Sequence, residues 1–242
     1  KEQSTVLTVP TPEPTEPEPV PEEPTLPPIS ATMEKYTGQG LGYWLYTPEN
    51  PSVNMPLIVY LHGGSGKGDD LDQLLEIDGL PKWLYDGSMG EPSAYILIPQ
   101  LSSSQKGWSD AGSSVIALID EIAADYEIDT NNISLTGHSM GGTGTFALAK
   151  AYPDTFARIA PCSGSIRITS DDLAAFQNMD VWAFVGSADT IVDPKSSIYF
   201  VDKLSQIGNA KLTQFEGATH FDVPALVYLN SKINIVNWLI GG

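Results

Sequence analysis

The pentapeptide Gly137-His138-Ser139-Met140-Gly141 has the G-x-S-x-G spacing of a serine set up as a nucleophile. A hydroxyl attacks weakly on its own. It needs exposure on a sharp turn, a base to take its proton, and donors for the oxyanion that forms. Glycines two residues to either side of Ser139 remove the Cβ atoms that would collide in so tight a turn. Met140 opens the segment after the serine, and its N–H is one candidate oxyanion donor. A second donor is expected from the stretch His62-Gly63-Gly64-Ser65-Gly66, either Gly64 or Ser65, because bare backbone approaches a carbonyl closely. The stretch is not a phosphate loop. Leu61 stands where the first glycine is required, and Gly68 replaces the Ser or Thr that should follow Gly66-Lys67.

The base and the acid follow from chain order. There are three histidines. His62 lies in the glycine-rich stretch and is expected to bond loop backbone. His138 adjoins the nucleophile, and neighbouring positions of a turn point apart. His220 remains, in Glu216-Gly217-Ala218-Thr219-His220-Phe221-Asp222, as the base. Asp189 lies in the loop after the apolar run Val181–Val185, between the serine and the histidine, and is the expected acid. Its rival Asp193 precedes Pro194 and reads as a helix N-cap. Gln100 and Trp108 follow a strand end and are expected to border the acyl pocket.

These residues need a frame. Leu41–Thr47, Leu57–Leu61, Tyr95–Ile98, Ile133–Leu135, Arg158–Ala160, Val181–Val185 and Lys211–Phe215 read as strands. Helical spacing appears at Val115–Ile122, Gly141–Tyr152, Asp171–Gln177, Pro194–Ile207 and Pro224–Ile240. Strands alternating with helices of this length predict a mostly parallel sheet covered on both faces, with its site beyond the carboxyl ends of the strands.

Together, Leu61 to Gly66, Gly137 to Gly142, Gly186-Ser187-Ala188-Asp189-Thr190-Ile191-Val192 and the late His220 resemble the α/β-hydrolase superfamily. Pro99-Gln100 followed by Gly107-Trp108 is similar to its feruloyl and acetylxylan esterase-like group (carbohydrate esterase family 1), with predicted peptidases and depolymerases beside it. Val185 departs from that group, many of whose members carry His there. The resemblance covers roughly residues 33–240. It implies a serine esterase with the triad Ser139, Asp189 and His220, no large lid and an ester substrate on a small molecule or polysaccharide. Two rivals are a serine peptidase and a non-catalytic polysaccharide-binding module.

The totals set limits. The formal charge of the 242 residues is −18, which repels phosphate backbones and anionic lipid, so no nucleic-acid partner is expected. No apolar run reaches membrane-spanning length, so no membrane insertion is expected. No Cys/His set has metal-ligand spacing, so the chemistry calls for no metal or other cofactor. Cys162, the single cysteine, is expected in the core. Nine of the 19 prolines fall in the first 30 residues, among Thr and Glu. Residues 1–32 therefore read as a disordered spacer and 33–242 as the catalytic domain. A spacer implies an anchor or module upstream and a secreted or cell-surface protein, bacterial by its linker type.

Overall fold

A computed structural model describes residues 31–242. Apart from its last two residues, the assigned spacer lies outside this range. Thr32, assigned to that spacer, already pairs with Thr47. The elements in chain order are β1 (Thr32–Gly38), β2 (Leu41–Thr47), β3 (Leu57–Leu61), α1 (Gln73–Glu76), α2 (Leu80–Tyr85), β4 (Tyr95–Gln100), α3 (Gly112–Asp125) and β5 (Ile133–His138). They continue with α4 (Met140–Ala151), β6 (Arg158–Cys162), β7 (Asp180–Gly186), α5 (Lys195–Leu204), β8 (Ala210–Phe215), α6 (Val223–Tyr228) and α7 (Ile235–Leu239).

The eight strands form one sheet in the order β1-β2-β4-β3-β5-β6-β7-β8. β2 runs antiparallel to β1 and β4, and every other pairing is parallel. β3 shows why. All five of its residues are buried, as a parallel strand covered on both faces requires. Leu57, Val59 and Leu61 face a layer with Val115, Leu118, Phe146 and Phe200 from α3, α4 and α5. Ile58 and Tyr60 face the opposite layer with Leu80, Trp83, Val227 and Leu239 from α2, α6 and α7. Each such side chain contributes about 1.5–3 kcal/mol through burial, so the continuous apolar run outweighs any local preference. Cys162 is fully buried, and that burial pushes its thiol up to about 12.

Three details differ from the sequence expectation. β1 was not expected, because Thr32-Met33-Glu34-Lys35-Tyr36-Thr37-Gly38 is largely polar. It is an edge strand, whose outward residues need no apolar pattern. Gln39 and Gly40 turn it into β2 with φ of 53° and 77°, the positive pair of a tight hairpin. The expected helix Pro224–Ile240 is two short helices, broken before Asn234, which sits in the left-handed region at φ 47°. Asp171–Phe176 is a 3-10 turn in place of the expected α-helix.

Candidate active site

Ser139 occupies the single residue between β5 and α4. Its φ of 59° is in the left-handed region, a conformation that costs of order 1–3 kcal/mol for a residue with a side chain. Two hydrogen bonds hold it: Ser139 N–H donates to Cys162 O at 3.0 Å, and Thr143 N–H donates to Ser139 O at 2.9 Å. The crowding inferred from the glycine spacing is real. A Cβ on Gly137 would stand 2.5 Å from the Leu61 carbonyl oxygen. One on Gly141 would run into that same carbonyl.

Three side chains meet beyond the strand ends. Ser139 Oγ–H donates to His220 Nε2 at 2.8 Å, and His220 Nδ1–H donates to Asp189 Oδ2 at 2.7 Å. The other Asp189 oxygen accepts the N–H groups of Ile191 and Val192, both at 2.9 Å. Burial alone would raise the Asp189 carboxyl. The Val192 and Ile191 N–H groups and His220 outweigh it, so the net direction is below the usual carboxylate value. With Nδ1 committed to a carboxylate, His220 presents Nε2 as the acceptor a serine proton needs. Asp193 takes no part. Its Oδ1 accepts Lys195 N–H at 3.0 Å at the mouth of α5, one residue before the N-cap, Pro194.

The loops carrying these groups are tied to each other. Gly217 N–H donates to Ser187 Oγ and Ala188 N–H to Ala218 O, joining the acid loop to the base loop. Asp222 accepts both the N–H and the hydroxyl of Thr219, which closes the turn around His220.

The glycine-rich stretch is equally fixed. His62 bonds loop backbone as expected: its Nδ1–H donates to Gly63 O at 2.6 Å and its Nε2 accepts Leu101 N–H at 3.0 Å. Gln100 donates through Nε2 to Gly66 O and Asp70 O. Trp108 donates through Nε1 to His62 O. Two expectations are therefore corrected. Trp108 is 1% exposed, wedged between the His62 ring and the helix at Gly144, where a Cβ would meet the indole. Gln100 is likewise buried. Neither borders the cleft. Both stand behind the glycine loop: Trp108 Nε1–H is given to His62 O, and the Gln100 amide N–H groups to Gly66 O and to Asp70 O just beyond it.

A cleft of about 530 Å³ opens over the serine, lined by Gly63, Gly64, Ser65, His138, Ser139 and His220, with an outer rim of Ile77, Asp78, Ile191, Phe221 and Pro224. Gly64 and Ser65 open a 3-10 turn, and Met140 opens α4. First-turn N–H groups have no partner inside their own helix, so these are the donors free to meet an anion. Gly63 was not singled out from sequence, yet a Cβ there would lie 3.5 Å from Ser139 Cβ, and it forms the floor beside the hydroxyl. Ile191 and Phe221, 58% and 72% exposed, were also missed. They neighbour Asp189 and His220 in the chain, the one available signal. Ile77 and Asp78 had none, since the short α1 and α2 do not register as helical periodicity.

Two imidazoles, His62 buried and His138 half-buried, give the fold an acid limit. Burial pushes both His62 and His138 down to about 4, from 6.5. The unfolded chain thus takes up two protons near pH 6.5 that the folded chain refuses until about pH 4. Stability is expected to be full above pH 6.5 and to fall as pH drops through that window. The loss is about 3 kcal/mol per histidine. Denaturant unfolding at pH 7, 5.5 and 4.5 reads it. A flat profile would contradict the lowered values of both rings.

Comparison with known proteins bears on the family and the fold. The family model described as "Putative esterase" matches residues 35–216. A bifunctional acetylxylan esterase/xylanase of Neocallimastix patriciarum is 28% identical over 136 residues, covering 52% of this chain and 18% of that protein. A protein named "Probable feruloyl esterase C" from Aspergillus flavus is 28% identical over 130 residues, covering 51% and 46%. The matches thus span less than half the length of these relatives. Among solved structures, a thermostable esterase superposes with a TM-score of 0.69 at 23% identity, over 87% of this chain and 62% of that one. The architecture is the α/β-hydrolase fold, and with the family model covering most of its length, the chain belongs to the esterase family.

Proposed function

We propose that the chain hydrolyses carboxylic esters through an acyl-enzyme on Ser139. The observation that carries this is the unbroken line Ser139–His220–Asp189 opening on a cleft whose floor is bare backbone N–H. Oγ attacks the ester carbonyl while its proton passes to His220 Nε2. Asp189 holds the imidazolium that results. Met140 N–H and the Gly64–Ser65 turn receive the oxyanion, and loss of one such donor costs about 10²–10³ in rate. Collapse breaks the C–O bond, and the alcohol leaves with the proton from His220. Water then attacks the acyl carbon, gives its proton to His220, and the serine departs reprotonated.

For the substrate, the reading is a feruloyl or acetyl ester on plant polysaccharide, or a short-chain ester. The exposed Ile191 and Phe221, with the half-buried Ile77 beside them, support it, since exposed apolar surface beside a polar centre suits an aromatic or short acyl group. The names of the relatives point the same way. The Pro/Thr/Glu-rich start of the sequence supports a secreted or cell-surface enzyme held on a spacer.

The test is a panel of methyl ferulate, acetylated xylan, p-nitrophenyl esters of rising chain length, and aminoacyl amides. Esters should turn over and amides should not. Amides cleaved at the rate of matched esters would make the chain a peptidase. A chain that neither hydrolyses esters nor labels with a fluorophosphonate would be a binding module.

A further inference from the structure

His138 has no part in the steps above, yet it touches both halves of the site. It ends β5, one covalent link before Ser139. Its Nε2–H donates to the main-chain carbonyl of His220 at 2.9 Å, and the two rings stand 4.6 Å apart with planes 42° from parallel. We infer that His138 is a positioning residue, holding the peptide that carries the base against the strand that carries the nucleophile.

The topology shows why such a link matters. The base loop follows β8 at the sheet edge, and the nucleophile follows β5, three strands inward. Adjacent strands are about 4.8 Å apart, so the sheet alone would set the Ser139–His220 contact across about 14 Å of accumulated spacing. The remaining ties of residues 216–222 lead elsewhere. Asp222 closes the turn on itself, and Gly217 and Ala218 bind the acid loop. Among the described residues, the His138 bond is the one hydrogen bond from the base loop to β5 besides the reacting pair itself. A carbonyl oxygen only accepts, so Nε2 carries the proton and the ring is a neutral donor. Burial first, and then the neighbouring His220, hold it in that form down to about pH 4. The link therefore adds no positive charge against the imidazolium that forms on His220.

The proposal rests on the ester-hydrolysis reading and is tested with three variants on p-nitrophenyl acetate. His138→Phe keeps a ring and loses the donor. His138→Asn keeps a donor one bond too short. His138→Gln puts its amide nitrogen where Nε2 stood. Misplacing a reacting group by about 1 Å costs about 10²-fold, so the Phe and Asn variants should lose about 10- to 100-fold in kcat with KM nearly unchanged. The Gln variant should recover most of that rate, and the rate of Ser139 labelling by a fluorophosphonate should follow the same order. Equal unfolding midpoints establish that all three fold. Wild-type kcat in the Phe and Asn variants would overturn the proposal, as would a Gln variant as impaired as Phe. A wild-type chain without ester turnover would instead strike the ester-hydrolysis reading, and this inference with it.

Discussion

Ser139→Ala is expected to lower kcat on p-nitrophenyl acetate by about 10⁶-fold, the loss seen when the nucleophile of a serine triad is removed. Three independent observations meet at this residue. Its backbone is held at φ 59° by two hydrogen bonds, which a fold would not maintain without a use for the position. Its hydroxyl lies 2.8 Å from an imidazole already oriented by a carboxylate. It also opens on the cleft beside unbonded first-turn N–H groups. Removing Oγ deletes the covalent path and leaves the rest of the site intact. A residual rate of about 10³–10⁴ over water should persist from the oxyanion donors and binding. The thermal midpoint should barely move, because alanine keeps the same Cβ in the same turn. Fluorophosphonate labelling should vanish. Retained turnover would show that some other group attacks the ester and would end the Ser139 assignment.

The contrast between what the sequence reveals and what it hides follows physical lines. Ser139, Asp189 and His220 were legible because each sits in a loop directly after a strand, and strand, turn and chain order all leave local marks. The glycines at 137 and 141 were legible for the same reason: a Cβ on Gly137 would also stand 2.8 Å from the Gly141 backbone, a collision within the turn itself. Gln100 and Trp108 were placed on the wrong side of the glycine loop. Trp108 does lie beyond β4, whereas Gln100 is the last residue of that strand, and which way a side chain leaves a strand end depends on what receives it. Here the carbonyls of Gly66, Asp70 and His62 take their N–H groups inward. The rim residues Ile77 and Asp78 come from a connection whose helices are four and six residues long, too short for periodicity to show. β1 failed for a related reason, since an edge strand hides nothing and needs no apolar rhythm. Elements long enough to repeat a buried apolar pattern announce themselves, whereas short ones such as α2 and side chains placed by hydrogen bonds do not.

That distinction also explains how a small frame holds a demanding geometry. The glycine loop is fixed by Gln100, Trp108 and His62, none of which faces the cleft. The acid and base loops are fixed to one another through Ser187 and Ala188, and Asp222 closes the base loop on itself. Rigidity behind the site is what lets its donors be in place before charge develops, so that no reorganisation is needed at the moment of reaction.

Asp189→Asn should lower kcat by about 10⁴-fold while leaving the loop in place. In the native site one carboxylate oxygen takes the Ile191 and Val192 N–H groups and the other takes His220 Nδ1–H. An amide replaces only one of these acceptors. If its oxygen keeps the two backbone bonds, its NH₂ faces Nδ1 and donates to it. The imidazole is then driven to carry its proton on Nε2, the atom that must receive the serine proton, and the base is lost through its tautomer. The geometry survives, so KM should change little. The native carboxyl also contributes to stability with a definite sign. Its folded value lies below its unfolded value of about 3.9, so the contribution is full above that pH and is lost as pH falls through the lowered folded value. The variant should lack this acid-side loss, which unfolding measurements below pH 4 would register. Asp193→Asn is the control. Its carboxylate is exposed and bonds only at the mouth of α5, so turnover should remain within about two-fold of the native rate, as for surface changes away from the site. If Asp193→Asn cost the larger factor, the acid assignment would pass to Asp193, and the 2.7 Å contact between Asp189 and His220 would need another purpose.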